Sequence, residues 1–307
     1  MTKYGVMHRI TPYSFMNDMN YTYDFVIAGL LLRVNSQYPL TNFFELSDFR
    51  IAYKANKMPD AQYSIEPLPE NWTVRGTILS KDSHNAVYSW QGALHHYFFW
   101  NVYSQDRYIL VTKASAQSKE HRIFLQTDTL EQVLPQLRLA AFLSPQHLLL
   151  NNNGFFLHAA LIDWRGKGIL FTAPSGIGKS TQAELWAEFE GAEILNGDKA
   201  IIRHQDGQHL AYGSPYAGTS GIYTNRSVPI RAIVTLSQAQ ENTLQQFSPS
   251  NALRKLLQEV IVLPWDPLFI NRITELLLDV INEIPVYHLA CLPNASAVEL
   301  LKQTLCE

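Results

Sequence analysis

Residues 173–181, Ala-Pro-Ser-Gly-Ile-Gly-Lys-Ser-Thr, constrain this chain more than any other stretch. The pattern is that of a phosphate-binding loop with Ala173 in place of the first glycine and Gly-Lys-Ser at its end. The residue types explain the chemistry. Gly176 and Gly178 permit backbone torsions that side chains resist. Successive N–H groups can then face one concavity and hold phosphate oxygens. A helix opening at Lys179 adds the partial positive charge of its N-terminus. Lys179 is placed to reach the terminal phosphates, and the Ser180 hydroxyl to bind Mg2+. Ser175, Ile177 and Thr181 complete the expected nucleotide-binding set. Such a loop needs a strand before it and a helix after it. The apolar run 168–172 predicts the strand. Residues 181–189 predict the helix, with Leu185, Trp186 and Phe189 on one apolar side.

Asp198 follows a predicted strand at Glu193–Leu195 and the pair Asn196-Gly197. In a parallel α/β sheet the strand carboxyl ends form one ligand-binding edge. Asp198 is therefore expected to face the loop, as general base toward a hydroxyl or as a Mg2+ ligand. A plain Asn-Gly-Asp turn is the competing reading, because these residues favour turns. His158 lies in the apolar strand Phe155–Asp163 and, by itself, reads as a packed core histidine. His95-His96 reads the same way, with no Cys or carboxylate at metal-ligand spacing.

With 307 residues, 47% of them apolar, the chain suggests two domains. A formal net charge of −3 removes the strongest argument for a nucleic-acid partner, which a dense basic face would give. Two cysteines, Cys291 and Cys306, exclude a disulfide scaffold and a Cys-rich zinc module and point to a reducing, cytoplasmic setting. The early apolar run Phe25–Val34 has ten residues, whereas a membrane span needs about 20. It reads as one buried strand, and no membrane partner is expected.

Residues 1–126 are predicted to be a β-rich domain that binds substrate or regulates. Its strands are expected at Asp24–Val34, Phe49–Lys54, Trp72–Leu79, Ala86–Trp90, His95–Tyr103, Tyr108–Lys113 and Arg122–Gln126. A hairpin tip is expected at Tyr103–Tyr108, and Trp72, Trp90, Trp100 and Tyr103 read as core. A helical linker, 127–153, contains a 3–4 periodicity over Thr129–Leu143. Residues 154–307 alternate strands and helices, with hairpins at 155–173 and 200–212 and a buried strand at Arg231–Leu236. Helices are predicted at Asn251–Val262, Asn271–Ile284 and Asn294–Leu305.

Leu157-His158-Ala159, Gly168–Phe171, Ser175–Ser180 and Asn196-Gly197-Asp198 together resemble the catalytic domain of the HPr kinase/phosphorylase family. Residues 180–186, Gly213–Gly218, Tyr287–Pro293 and Ala297–Leu301 look closer to its branch of lasso-peptide precursor kinases. The resemblance spans roughly 155–307. It implies an α/β catalytic domain related to phosphoenolpyruvate carboxykinase, with ATP and Mg2+ as cofactors. It implies phosphorylation of a serine hydroxyl in a peptide or protein, a ribosomal peptide precursor among them, and it hints at a homo-oligomer. Carried over, Lys179 is the loop lysine, Ser180 the metal-binding serine, His158 the active-site histidine and Asp198 the general base.

Three departures stand out. Gly197 replaces the first residue of the family's Asp-Asp pair. The Glu-x-Arg-Gly segment that supplies a metal-binding Glu is not visible, and Gly213–Gly218 occupies that place. The catalytic arginine aligns near Gln245-Gln246, leaving Arg254 or Arg231 as substitutes. The reverse phosphorylase reaction is therefore not expected. Two other readings stay open: a kinase of a small-molecule hydroxyl, and a nucleotide-binding regulatory protein without turnover. A first domain that grips peptide by strand addition would favour a peptide acceptor, and a lid over a concave pocket a metabolite.

Overall fold

Tyr, Phe, Val, Ile and Leu draw the first half of the chain into β-structure, in runs buried on both faces or in alternation. The computed structural model describes residues 21–99 and 106–306. Among the described residues a first sheet has nine strands. They are β1 (Tyr21–Ile27), β2 (Leu30–Ser36), β3 (Arg50–Ile51), β4 (Ala61–Pro67), β5 (Thr77–Lys81), β6 (Asn85–Trp90), β7 (Ala93–Phe99), β8 (Tyr108–Lys113) and β9 (Glu120–Leu125). Their order is β3-β1-β2-β4-β9-β8-β7-β6-β5.

The run 24–34 is not one strand. Ala28 (φ 51°) and Gly29 (φ 78°) make a two-residue turn, and β1 folds back on β2 with Ile27 opposite Leu30. Ala28 is buried, so the turn hides inside an apolar run. The strand expected at 49–54 shrinks to β3 after a 3-10 turn at Phe44–Phe49. β4 was not anticipated, and the strand expected from Trp72 begins only at Thr77. The Tyr103–Tyr108 tip in part, and Trp100 and Tyr103, lie outside the described residues. The helix expected over 129–143 is broken into α1 (Leu130–Val133) and α2 (Leu139–Leu143) by a 3-10 turn that contains Pro135. α3 (Gln146–Asn151) leads to the second half.

That half contains β10 (Gly154–Trp164), β11 (Lys167–Thr172), α4 (Lys179–Glu190), β12 (Glu193–Asn196), β13 (Lys199–Gln205), β14 (Gln208–Tyr212) and β15 (Ser227–Gln238). It ends with β16 (Thr243–Gln246), α5 (Pro249–Leu256), α6 (Pro267–Glu283), β17 (Val286–Cys291) and α7 (Ala295–Cys306). The eight strands form a mixed sheet in which β11–β15 and β15–β17 are the parallel pairs. Pairings run β10–β11–β15–β14–β13 and back to β10, so this part of the sheet closes on itself and leaves few free edges. α5 and α6 cover one face, packing Leu256, Ile273 and Leu277 on Leu161, Leu170 and Ile233. α4 and α7 cover the other, with Trp186 and Leu301 against Phe171 and Val234.

One core joins the two sheets. Phe25, Tyr63 and Ile123 pack with Leu139, Leu143, Phe156, Ile201 and Tyr212. Tyr63 donates to the Leu143 carbonyl at 2.7 Å, Tyr216 to Ala140 at 2.8 Å and Arg203 to Ala28 at 2.8 Å. Among the described residues, no helix is long and apolar enough to cross a membrane.

Candidate functional site

β11 ends at Thr172, residues 173–178 form a loop, and α4 opens at Lys179. The strand and helix that the motif requires are both in place. Gly176 (φ 82°) and Gly178 (φ 125°) hold conformations that L side chains rarely adopt. Nothing lies within 4 Å of a Cβ built at either, so the loop is uncrowded at both glycines. The first turn of α4 has no acidic side chain to offset the positive end of its dipole. Ser175, Ser180 and Thr181 are exposed, and Ile177 is half-buried. Lys179 is buried, and its Nζ donates to the Ala173 carbonyl at 2.8 Å. Burial lowers its pKa, while the Glu259 and Asp198 carboxylates pull the other way.

Of the apolar side expected on α4, Trp186 is fully buried but Phe189 is 49% exposed. Trp186 alone fills the space between Trp164 and Phe171, with ring centroids at 5.2 Å and 6.3 Å. The helix buries Gln182 and Ala183 in place of Phe189.

The sheet is mixed rather than parallel, which changes how Asp198 reaches the loop. β10 is antiparallel to both β11 and β12. β11 and β12 therefore point the same way and end at one edge, with β10 running back between them. At that edge β10 has a bulge in which His158 and Ala159 both face Lys199, while Ala159 lies opposite Thr172. Bulges re-aim side chains, and here the strand departs from regular pairing at His158. His158 is thus not a packed core residue. Its Nε2 lies 3.2 Å from Asp198 Oδ1, and its Nδ1 lies 3.2 Å from Glu259 Oε2.

Asp198 does sit in an Asn-Gly-Asp turn, and that turn aims it. The fully buried Asn196 accepts from the N–H groups of Asp198 (3.0 Å) and Lys199 (2.8 Å) and donates to the Ser214 carbonyl (3.0 Å). The Asp198 and His158 side chains stay 23% and 24% exposed, enough to meet a ligand.

Glu259 is the functional candidate that the sequence did not single out. It follows α5, and its side chain is 9% exposed. Its carbonyl accepts from the His158 N–H at 2.9 Å, and Val260 bridges Leu157. The contact spans 101 residues, so no local pattern reports it. Neither substitute arginine pairs with these carboxylates. Arg231 donates to the Leu305 carbonyl on α7, and Arg254 is exposed with Asn251 as its neighbour at 3.5 Å. His95 and His96 are packing residues: His95 lies against Trp72 and Trp90, and His96 stacks on Phe98.

The donors fit a magnesium–polyphosphate ligand. An uncrowded glycine loop at a helix N-terminus, an ammonium group, the exposed Ser180 hydroxyl and the Asp198 carboxylate supply the hard oxygen ligands and the positive charge it needs. The Hpr(Ser) kinase/phosphatase from Coxiella burnetii is similar at 13% identity over 49% of this chain and 93% of that chain, with a TM-score of 0.29. No curated protein matches the chain. The family described as SynChlorMet cassette protein ScmC matches residues 126–294, more than half of the chain and every site residue above. The chain belongs to that family.

Proposed function

We propose that this protein is an ATP- and Mg2+-dependent kinase that phosphorylates a hydroxyl, most plausibly a serine of a peptide or protein. The carrying observation is the convergence of the loop lysine with a histidine held between two carboxylates, Asp198 and Glu259. The amides of Ser175–Ser180 and the Lys179 ammonium would hold the polyphosphate, Thr181 flanking them, and Ser180 with Asp198 would hold the metal. Mg-ATP, when bound, supplies the phosphoryl group and offsets its charge. Asp198 takes the proton of the acceptor hydroxyl. His158 fixes the orientation of Asp198 through Nε2, and Glu259 fixes His158 through Nδ1. Glu259 is thus a positioning residue.

The peptide acceptor rests on the resemblance of residues 180–186 and Gly213–Gly218 to precursor-peptide kinases. The description of the family as a cassette protein makes companion cassette products the first acceptors to test. The free Cys291 and Cys306 suit a reducing cytoplasm. The test is transfer of labelled γ-phosphate to those products and to a serine-peptide pool. Lys179→Ala is expected to abolish nucleotide binding. Asp198→Asn is expected to keep binding of metal-free nucleotide and lose transfer by at least about a hundredfold. Full transfer by Asp198→Asn would remove the base assignment. Tight ATP binding with no transfer to any hydroxyl would favour a regulatory nucleotide-binding role, for which the absence of an arginine partner on Asp198 among the described residues is the motive.

A further inference from the structure

His204 and His209 stand directly opposite each other across the β13–β14 hairpin. The turn between them, Asp206-Gly207, has both φ values positive, which holds a tight two-residue connection. Opposed strand residues keep their Cβ atoms about 5 Å apart, and the two rings are 4.8 Å apart centre to centre. Glu283, the last residue of α6, brings its Oε2 to 3.2 Å from His209 Nε2. One ligand atom from each of the three lies within 4.8 Å of the others.

A second observation points to a ligand. His209 is only 5% exposed, and its ring nitrogens make no well-aligned hydrogen bond, the Glu283 carboxylate at 3.2 Å from Nε2 being its near polar neighbour. Buried polar atoms are normally satisfied, so an imidazole left open beside a carboxylate and a second imidazole is short of a partner. The backbone carbonyl of Asp279, one turn earlier on α6, also lies by this ring.

We propose that His204, His209 and Glu283 form a site for a divalent transition-metal ion of the Zn2+ class. Two imidazoles and a carboxylate suit such an ion better than Mg2+, which prefers oxygen ligands. The fourth position falls to water. The site is separate from the nucleotide cradle: His204 lies five residues along β13 from Lys199, about 17 Å of extended strand. A bound ion would tie the hairpin to α6 and brace the strand that starts beside Asp198.

The test uses the full chain, free of any polyhistidine tag and stripped with a chelator. Zn2+ is titrated in competition with a chromophoric chelator, and Co2+ absorbance is read in parallel. The expected result is one equivalent bound at micromolar affinity or tighter, with a rise in melting temperature. His204→Gln and Glu283→Gln, both exposed and so compatible with folding, should each weaken binding at least about tenfold. Asp198→Asn should keep that equivalent. No saturable Zn2+ binding below millimolar overturns the proposal. So does wild-type affinity in both exposed variants, or loss of the equivalent in Asp198→Asn alone.

Discussion

Gly218 lies where a methyl group would strike Asp198, its built Cβ falling 2.8 Å from the Asp198 Cγ, and its φ is 58°. The backbone of the 213–218 segment therefore forms part of the wall that aims the carboxylate. Gly197 is equally constrained, because a Cβ there would run into the Ser220 hydroxyl. That contact gives a steric reason for a glycine where the resembling family has an aspartate. Gly218→Ala is expected to lower phosphoryl transfer at least about tenfold by displacing Asp198, with affinity for metal-free nucleotide unchanged, since the loop at 173–181 is not touched. Transfer and binding measured on the same preparation check this. Glu259→Gln is expected to reduce kcat more than it raises KM, because it removes a support of His158 rather than a contact to nucleotide. An unchanged kcat would refute the positioning role.

At the scale of elements, β8, α3 and α6 are joined by a buried relay. Lys113 Nζ lies 2.7 Å from His147 Nδ1, and His147 Nε2 lies 2.9 Å from Asp266 Oδ2. Lysine only donates, so His147 accepts at Nδ1 and donates at Nε2. Asp266 also caps α6 by accepting from the Phe269 N–H at 3.1 Å. Asp266→Ala removes a cap and leaves a buried donor unpaired, and should cost about 2–4 kcal/mol in urea unfolding. Asp266→Asn keeps the cap and should cost roughly half as much. Elements with local signals were legible in the sequence: α4 from its loop and periodicity, and β13–β14 from alternation around Asp206-Gly207. The β1–β2 turn was not, because buried Ala28 carries no polar turn signature. β4 was missed for a related reason, since its side chains alternate between faces that only the neighbouring strands define.

For the whole molecule, buried histidines tie stability to pH. Burial is the main cause that pushes His121 down to about 3, and it also lowers His147. In the unfolded chain these rings protonate near the ordinary histidine value of about 6.5. As pH falls below that value the unfolded state takes up protons and the folded state does not. Stability is therefore lost as pH drops from about 6.5 toward 3, by up to about 1.4 kcal/mol per pH unit for each such histidine. His121→Phe, which keeps a ring stacked on Tyr63, should flatten that acid limb in thermal unfolding followed from neutral pH downward. An unaltered limb would mean that His121 is not its source.

By itself the sequence determined the strand–loop–helix around 173–181, because such a loop is a local object: its glycines, lysine and helix start lie within nine consecutive residues. It also fixed the turn that carries Asp198, for the same reason of short range. Only the tertiary structure decided what surrounds them. The antiparallel passage of β10 between β11 and β12 sets His158 beside Asp198, and the segment after α5 brings Glu259 to the other side. Contacts between residues a hundred positions apart depend on sheet pairing and core packing, and those are settled by the sum of many burials rather than by any one stretch of chain.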